Sequence, residues 1–143
     1  MDPMPVLTRN ADGTVTPVGA GAPLPVTYTA AGTVLNASST AYTASGQTAD
    51  LAVGAYAGLA VDVNVTAVTG TSPSCAFVLE RKGADGVYYA IASPAAVTAP
   101  RQVSLSVGTL LSTPAALGSV VRLRWVITGT TPSFTFTASA IGK

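Results

Sequence analysis

The sequence predicts an all-β fold, an antiparallel β-sandwich of Ig-like or jelly-roll strand order behind an extended N-terminal arm. Three observations carry this expectation. Val and Thr, whose branched side chains suit a pleated surface, are abundant, while the long helix formers Leu, Glu, Lys and Arg are scarce. Short runs alternate apolar and polar residues with period two. Gly, Pro, Ser and Asp punctuate those runs about every ten residues, the spacing of a sandwich.

Residues 1–33 read as the arm and residues 34–143 as the sandwich domain. In the arm, Pro3, Pro5, Pro17, Pro23 and Pro25 interrupt any ladder, and "VGAGAP" adds flexible glycines. Short apolar pieces at 15–18 and 24–28 are able to lie extended on a surface. The arm is therefore either a loose tail, as termini commonly are, or a docking element that lies along a neighbouring subunit.

Weak strands are expected at 40–44 and 48–53. The clearest strand is 59–68, with Leu59, Val61, Val63 and Val65 on one face and Asp62, Asn64 and Thr66 on the other. A strand at 74–81 buries Cys75, Phe77 and Leu79. Asp85-Gly86 signals a hairpin turn into 87–92. Adjacent Tyr88 and Tyr89 face opposite sides, one toward the core and one exposed. Residues 101–107 alternate with Val103, Leu105 and Val107 inward, and "GTLLSTPAALG" is a longer connection with room for one helical turn. A second strong strand at 120–128 directs Val121, Leu123, Trp125 and Ile127 inward and Arg122 and Arg124 outward. The last strand, 133–141, buries Phe134, Phe136 and Ala138.

One phrase occurs twice: "VTGTSPSCAF" at 68–77 and "ITGTTPSFTF" at 127–136. Each copy is expected to form a hairpin between strands. Gly takes a backbone conformation closed to other residues, Pro fixes its own φ, and the preceding Ser72 or Thr131 is pushed toward extended geometry. The repetition reflects either an internal duplication, with halves starting near 59 and 120, or one good turn used twice. Loops on a rigid scaffold also carry recognition, so Thr71, Ser72, Thr130 and Thr131 are candidate contact residues.

Composition excludes several function classes. The chain has 143 residues, 48% hydrophobic but only 9% charged, against about 25% charged in ordinary globular proteins. A net charge of +1 with dispersed basic residues gives no nucleic-acid face. No apolar stretch approaches the ~20 residues of a membrane span, and the opening lacks the pattern of a signal peptide. Asn36-Ala-Ser38 and Asn64-Val-Thr66 match the glycosylation pattern by chance. With no His and one Cys, the usual metal ligands are missing, and Cys75 reads as a buried small hydrophobe. No catalytic, cofactor-binding or metal-binding residue is expected. Ser74 and Ser133 lack a base to activate them. Asp62 and Glu80 invite comparison with a glycosidase pair, but they read instead as solvated strand-face charges near Arg81, Arg122 or Arg124. The chain reads as a non-enzyme, and so sparse a surface charge suggests burial against other subunits.

Three segments together resemble small structural proteins of tailed bacteriophages. They are "GAPLPVTYTAAG" in the arm, "LAVDVNVTAVTGTSPSCAFVLERKGADGVYYAI", and "RLRWVITGTTPSFTF". The resemblance implies a virion structural protein, most like a capsid decoration (auxiliary head) protein. Such a protein is made in the host cytoplasm and sits on the capsid surface. It binds the major capsid protein from outside, as a homo-oligomer with a trimer favoured, and reinforces the shell without nucleic acid, membrane or cofactor. In that role the arm residues Val6, Leu7, Val15, Val18, Leu24 and Val26 would dock on the shell. The alternatives are a phage tail or head–tail connection protein, or a carbohydrate-binding surface module.

Overall fold

In the computed structural model, residues 31–108 and 116–143 are described, together with the backbone of the short strands β1 (Leu7–Arg9) and β2 (Val15–Pro17). Every regular element among the described residues is a β-strand. After β1 and β2 come β3 (Gly32–Tyr42), β4 (Gly46–Gln47), β5 (Leu51–Ala52), β6 (Gly58–Lys82), β7 (Tyr88–Ala92), β8 (Arg101–Gly108) and β9 (Val120–Gly142). β1 and β2 pair antiparallel, Leu7 opposite Pro17 and Arg9 opposite Val15. The other seven strands make one antiparallel sheet built on β6 and β9.

The repeated phrase does not form hairpins. The expected strands at 59–68 and 74–81 are one strand of 25 residues, β6, and those at 120–128 and 133–141 are one strand of 23 residues, β9. The two pair with each other almost from end to end, from Leu59 opposite Gly142 to Arg81 opposite Val121. Register shifts interrupt the ladder between Val65 and Ser74, within and just before the phrase.

This pair is bent back on itself. A strand rises about 3.3 Å per residue, so on a straight β9 Trp125 and Phe136 would lie roughly 35 Å apart. Their ring centroids are 5.5 Å apart, and Phe77 of β6 meets Phe136 edge-on at 5.1 Å. The sheet therefore folds into two facing layers, a corner of the kind that strands make where they pass from one sheet to another. One layer runs β3, the C-terminal half of β9, the N-terminal half of β6, then β8. The other runs β4 and β5, the N-terminal half of β9, the C-terminal half of β6, then β7.

Period-two alternation fills the space between the layers. Leu59, Val61, Val63 and Val65 face Phe77, Leu79, Val121, Leu123 and Trp125, with Val103, Leu105, Val107, Phe134, Phe136, Ala138 and Ala140 completing the core. Tyr42 stacks on Phe136 at 4.5 Å. Cys75 is buried as expected, bridged through its backbone to Val97. Gly83, Gly86 and Val87 close the expected turn, with the Gly83 N–H donating to Val87 O.

Other expectations need correction. β3 begins at Gly32 and ends at Tyr42, and of the strand expected over 48–53 only Leu51–Ala52 is a strand, with a second short piece, Gly46–Gln47, just before the expected range. Thr48 explains part of this: its hydroxyl, rather than a backbone group, accepts from the Leu123 N–H. Neither Tyr88 nor Tyr89 enters the core. Their faces do differ, but β7 lies beside the charged end of β6, where Tyr88 rests on Arg122 and Tyr89 is 47% exposed. The helical turn expected within 108–118 falls largely outside the described residues.

Candidate functional site

The crease of the folded sheet brings the contact residues expected from the sequence together. Thr71 and Thr130 are paired opposite each other, with Ser72 and Thr131 next to them, all four exposed. The two copies of the phrase lie 59 residues apart, and from Ala67–Thr135 inward that offset turns each pair into its mate. Val68 opposite Phe134 becomes Ile127 opposite Cys75, and Thr71 opposite Thr130 maps onto itself. The crease thus has a local two-fold axis through the Thr71–Thr130 pair.

Backbone geometry repeats as well. Gly70 and Gly129 have φ of 114° and 122°, and Ser72 and Thr131 have φ of 49° and 47°. The two residues before proline are therefore left-handed rather than extended, because the tight double bend outweighs the local preference. A side chain on Gly70 would meet Thr131 O at 2.8 Å, and one on Gly129 would meet Ser72 O at 2.9 Å. Each strand thus uses the other's missing Cβ to approach. Non-glycine residues at positive φ are strained, and such strain concentrates where structure or binding demands it. The result is a crest of Thr69, Thr71, Ser72, Thr128, Thr130 and Thr131 hydroxyls at one end of the molecule.

A second cluster lies on the outer face of the β6–β9 layer. Glu80 accepts from Arg122 Nε and Arg124 Nε, each at 2.7 Å. Arg122 lies over the Tyr88 ring at 3.6 Å. Tyr88 donates to Asp50, which Lys82 also contacts at 3.3 Å. Glu80 is thus not the solvated charge expected: it is 6% exposed, covered by the two arginines. Burial pushes its carboxyl up, but hydrogen bonds from Arg122 and Arg124 and their charges outweigh burial and hold it below the ordinary range. The Tyr88 hydroxyl and Lys82 lower Asp50, and Asp50 in turn raises Tyr88. Every charge here is matched by an opposite partner, the pattern of a structural network. Asp62 stands on the outer face of the other layer, paired with Ser139 and Ser104, so the core separates it from Glu80 and no carboxylate pair forms.

Around Asp62 a shallow groove of about 320 Å³ gathers Asn64, Gln102, Ser104, Thr137 and Ser139. Alternation in the sequence marks these as outward residues, but only pairing of β8, β6 and β9 sets them side by side. Among the described residues, no three His, Cys, Asp or Glu side chains gather as metal ligands. Burial raises the Cys75 thiol to about 12, leaving it inert.

Of the expected docking residues, Leu7 and Val15 sit at register positions in β1 and β2. Val6, Val18, Leu24 and Val26 lie outside the described residues. No protein-family model, curated protein or solved structure matches the chain.

Proposed function

We propose that this chain is a non-enzymatic virion structural protein that binds the outside of a tailed-phage shell and reinforces it. The observation that carries the reading is where the resembling segments fall. Two of them cover nearly all of β6, β7 and the bend of β9, so they build the crease and both layers rather than a peripheral loop. A rigid sandwich with a hydroxyl crest and little charge suits repeated docking on a lattice, where many weak contacts add up. Binding to the assembled shell and not to its unfolded subunits raises shell stability by mass action.

Purified protein mixed with undecorated phage shells tests this. Saturable binding at a fixed number of copies per capsomer, with a raised shell melting temperature, is expected. Loss of binding on deleting residues 1–33, with the sandwich still folded, would assign docking to the arm. Loss on replacing Thr71 and Thr130 by Lys would assign it to the crest.

A second reading, carbohydrate binding, draws on the Asp62 groove, whose carboxylate, amides and hydroxyls suit vicinal sugar hydroxyls. Retention on host polysaccharide without any binding to shells would favour it and sink the first.

A further inference from the structure

We propose that two copies of this chain pair through β8, antiparallel about a two-fold axis at Ser104, so that one layer continues from copy to copy. Unpaired strand edges invite pairing, and proteins commonly blunt them with bulges, short strands, charge or proline. The other edges here are blunted. β3 has two register shifts against β9, at 33–35 and 37–40. β4 and β5 have two residues each, and β7 has five with a shift against β6.

β8 has none of these devices. Eight consecutive residues keep unbroken register with β6, from Gly58 opposite Gly108 to Val65 opposite Arg101. After Arg101 it carries neither charge nor proline. No described residue pairs with its other side. Along that side runs a groove of about 500 Å³, walled by Ile91, Ala92, Ser93 and Pro94 and by Ser104, Leu105 and Ser106.

The occupant this edge fits is β8 itself. Val103, Leu105 and Val107 face inward, and Gln102, Ser104 and Ser106 face outward. Opposed residues in an antiparallel pair share a face, and a one-residue slip would put apolar against polar. With Ser104 opposite Ser104, Val103 meets Leu105, Gln102 meets Ser106, and Arg101 meets Val107. Between the Arg101–Val107 pairs at the two ends, apolar faces apolar and hydroxyl faces hydroxyl or amide, and no like charges meet. The groove beside Ile91 then lies along the seam between the two copies. A ring of three would need a heterologous contact between β8 and a different edge, and β3, the longest alternative, is broken by its bulges. This contact does not depend on what the assembled protein docks to.

The test uses the full chain. Sedimentation equilibrium is expected to give a reversible dimer, and oxidised Ser104→Cys a covalent dimer; buried Cys75 does not compete. Ser104→Lys and Ser104→Glu, each melting like the parent, are expected to weaken association about tenfold or more, and mixing the two to restore it. A monomer at all concentrations up to about 100 µM, a trimer, or a dimer indifferent to Ser104→Lys would overturn the proposal.

Discussion

Replacing Glu80 by Gln removes one charge from the middle of the outer-face network while keeping nearly the same shape. Two arginines then lose their counter-charge. The Glu80 side chain is 7% exposed, Arg122 18% and Arg124 37%. Breaking a buried ion pair costs about 3–5 kcal/mol, whereas an exposed pair contributes about 0–1 kcal/mol. The Arg122 bond belongs nearer the first class and the Arg124 bond nearer the second, so a loss of about 3 kcal/mol is expected. For a domain of this size that lowers the melting temperature by roughly 10 °C. Urea unfolding at pH 7 should show a lower midpoint at unchanged slope.

The pH dependence supplies an independent check. The folded Glu80 carboxyl titrates below its ordinary value, so the unfolded chain binds more protons in the window between the two. The contribution of Glu80 is therefore complete above the unfolded value of about 4.3 and is lost as pH falls through the folded one. Asp50 and Asp85 are lowered too, in the parent and the variant alike. The gap between parent and Glu80→Gln is thus expected to be full at pH 7 and to close below about pH 4. A loss under about 0.5 kcal/mol at pH 7, or a gap undiminished at pH 3, would refute the reasoning. Converting Glu80, Arg122 and Arg124 together to Met should recover most of the loss, since apolar replacements of whole buried ion clusters are commonly neutral.

Gly70→Ala and Gly129→Ala should each destabilise by about 2 kcal/mol or more, because the new methyl strikes the other strand's backbone at a φ closed to Ala. Gly86→Ala, with nothing within 4 Å of its Cβ position, should cost about 1 kcal/mol from its φ alone; equal losses at all three by thermal denaturation would contradict this. Ser72→Gly and Thr131→Gly, both at left-handed φ, should be neutral or stabilising by up to about 1 kcal/mol, and a clear loss in either would show that the hydroxyl rather than the backbone matters there. Cys75 should resist a thiol reagent in the native protein and react on unfolding, so labelling at pH 8 that matches a free thiol's rate would disprove its burial.

Where alternation decides, the sequence was enough. Leu59 through Val65, Val103 through Val107, and Phe134 through Ala138 occupy the faces their spacing predicts, because period two leaves no other way to bury them. The hairpins failed for a physical reason. Gly and Pro signal that the chain bends, but not whether it reverses against its own next segment or keeps its old partner around a corner. That choice rests on contacts about 60 residues away in the chain. Glu80 was misread only in its exposure: Arg122 and Arg124 were expected near it, but nothing close to it in sequence announces that they cover it, with a tyrosine beneath one of them. The four crease residues stood out in the sequence because the repeated phrase flagged them, whereas the Asp62 groove draws on three separate strands that only folding sets side by side.

The repeat itself has a mechanical cause, whether or not duplication produced it. β6 and β9 stay hydrogen-bonded to each other on both sides of the crease, so neither can bend without the other bending at the paired position. Two strands related by a two-fold axis meet the same constraint and need the same solution. Gly70 vacates the space that Thr131 and Pro132 fill, and Gly129 vacates that of Ser72 and Pro73. The outer segments escape the requirement because each has a partner on one side only. They cross the corner by breaking off, at 43–45 between β3 and β4 and at 93–100 between β7 and β8, with only the Cys75–Val97 bridge in the second gap. Phrase and fold are therefore one fact: a central strand pair carried around a corner must write the corner twice, and an edge strand need not write it at all.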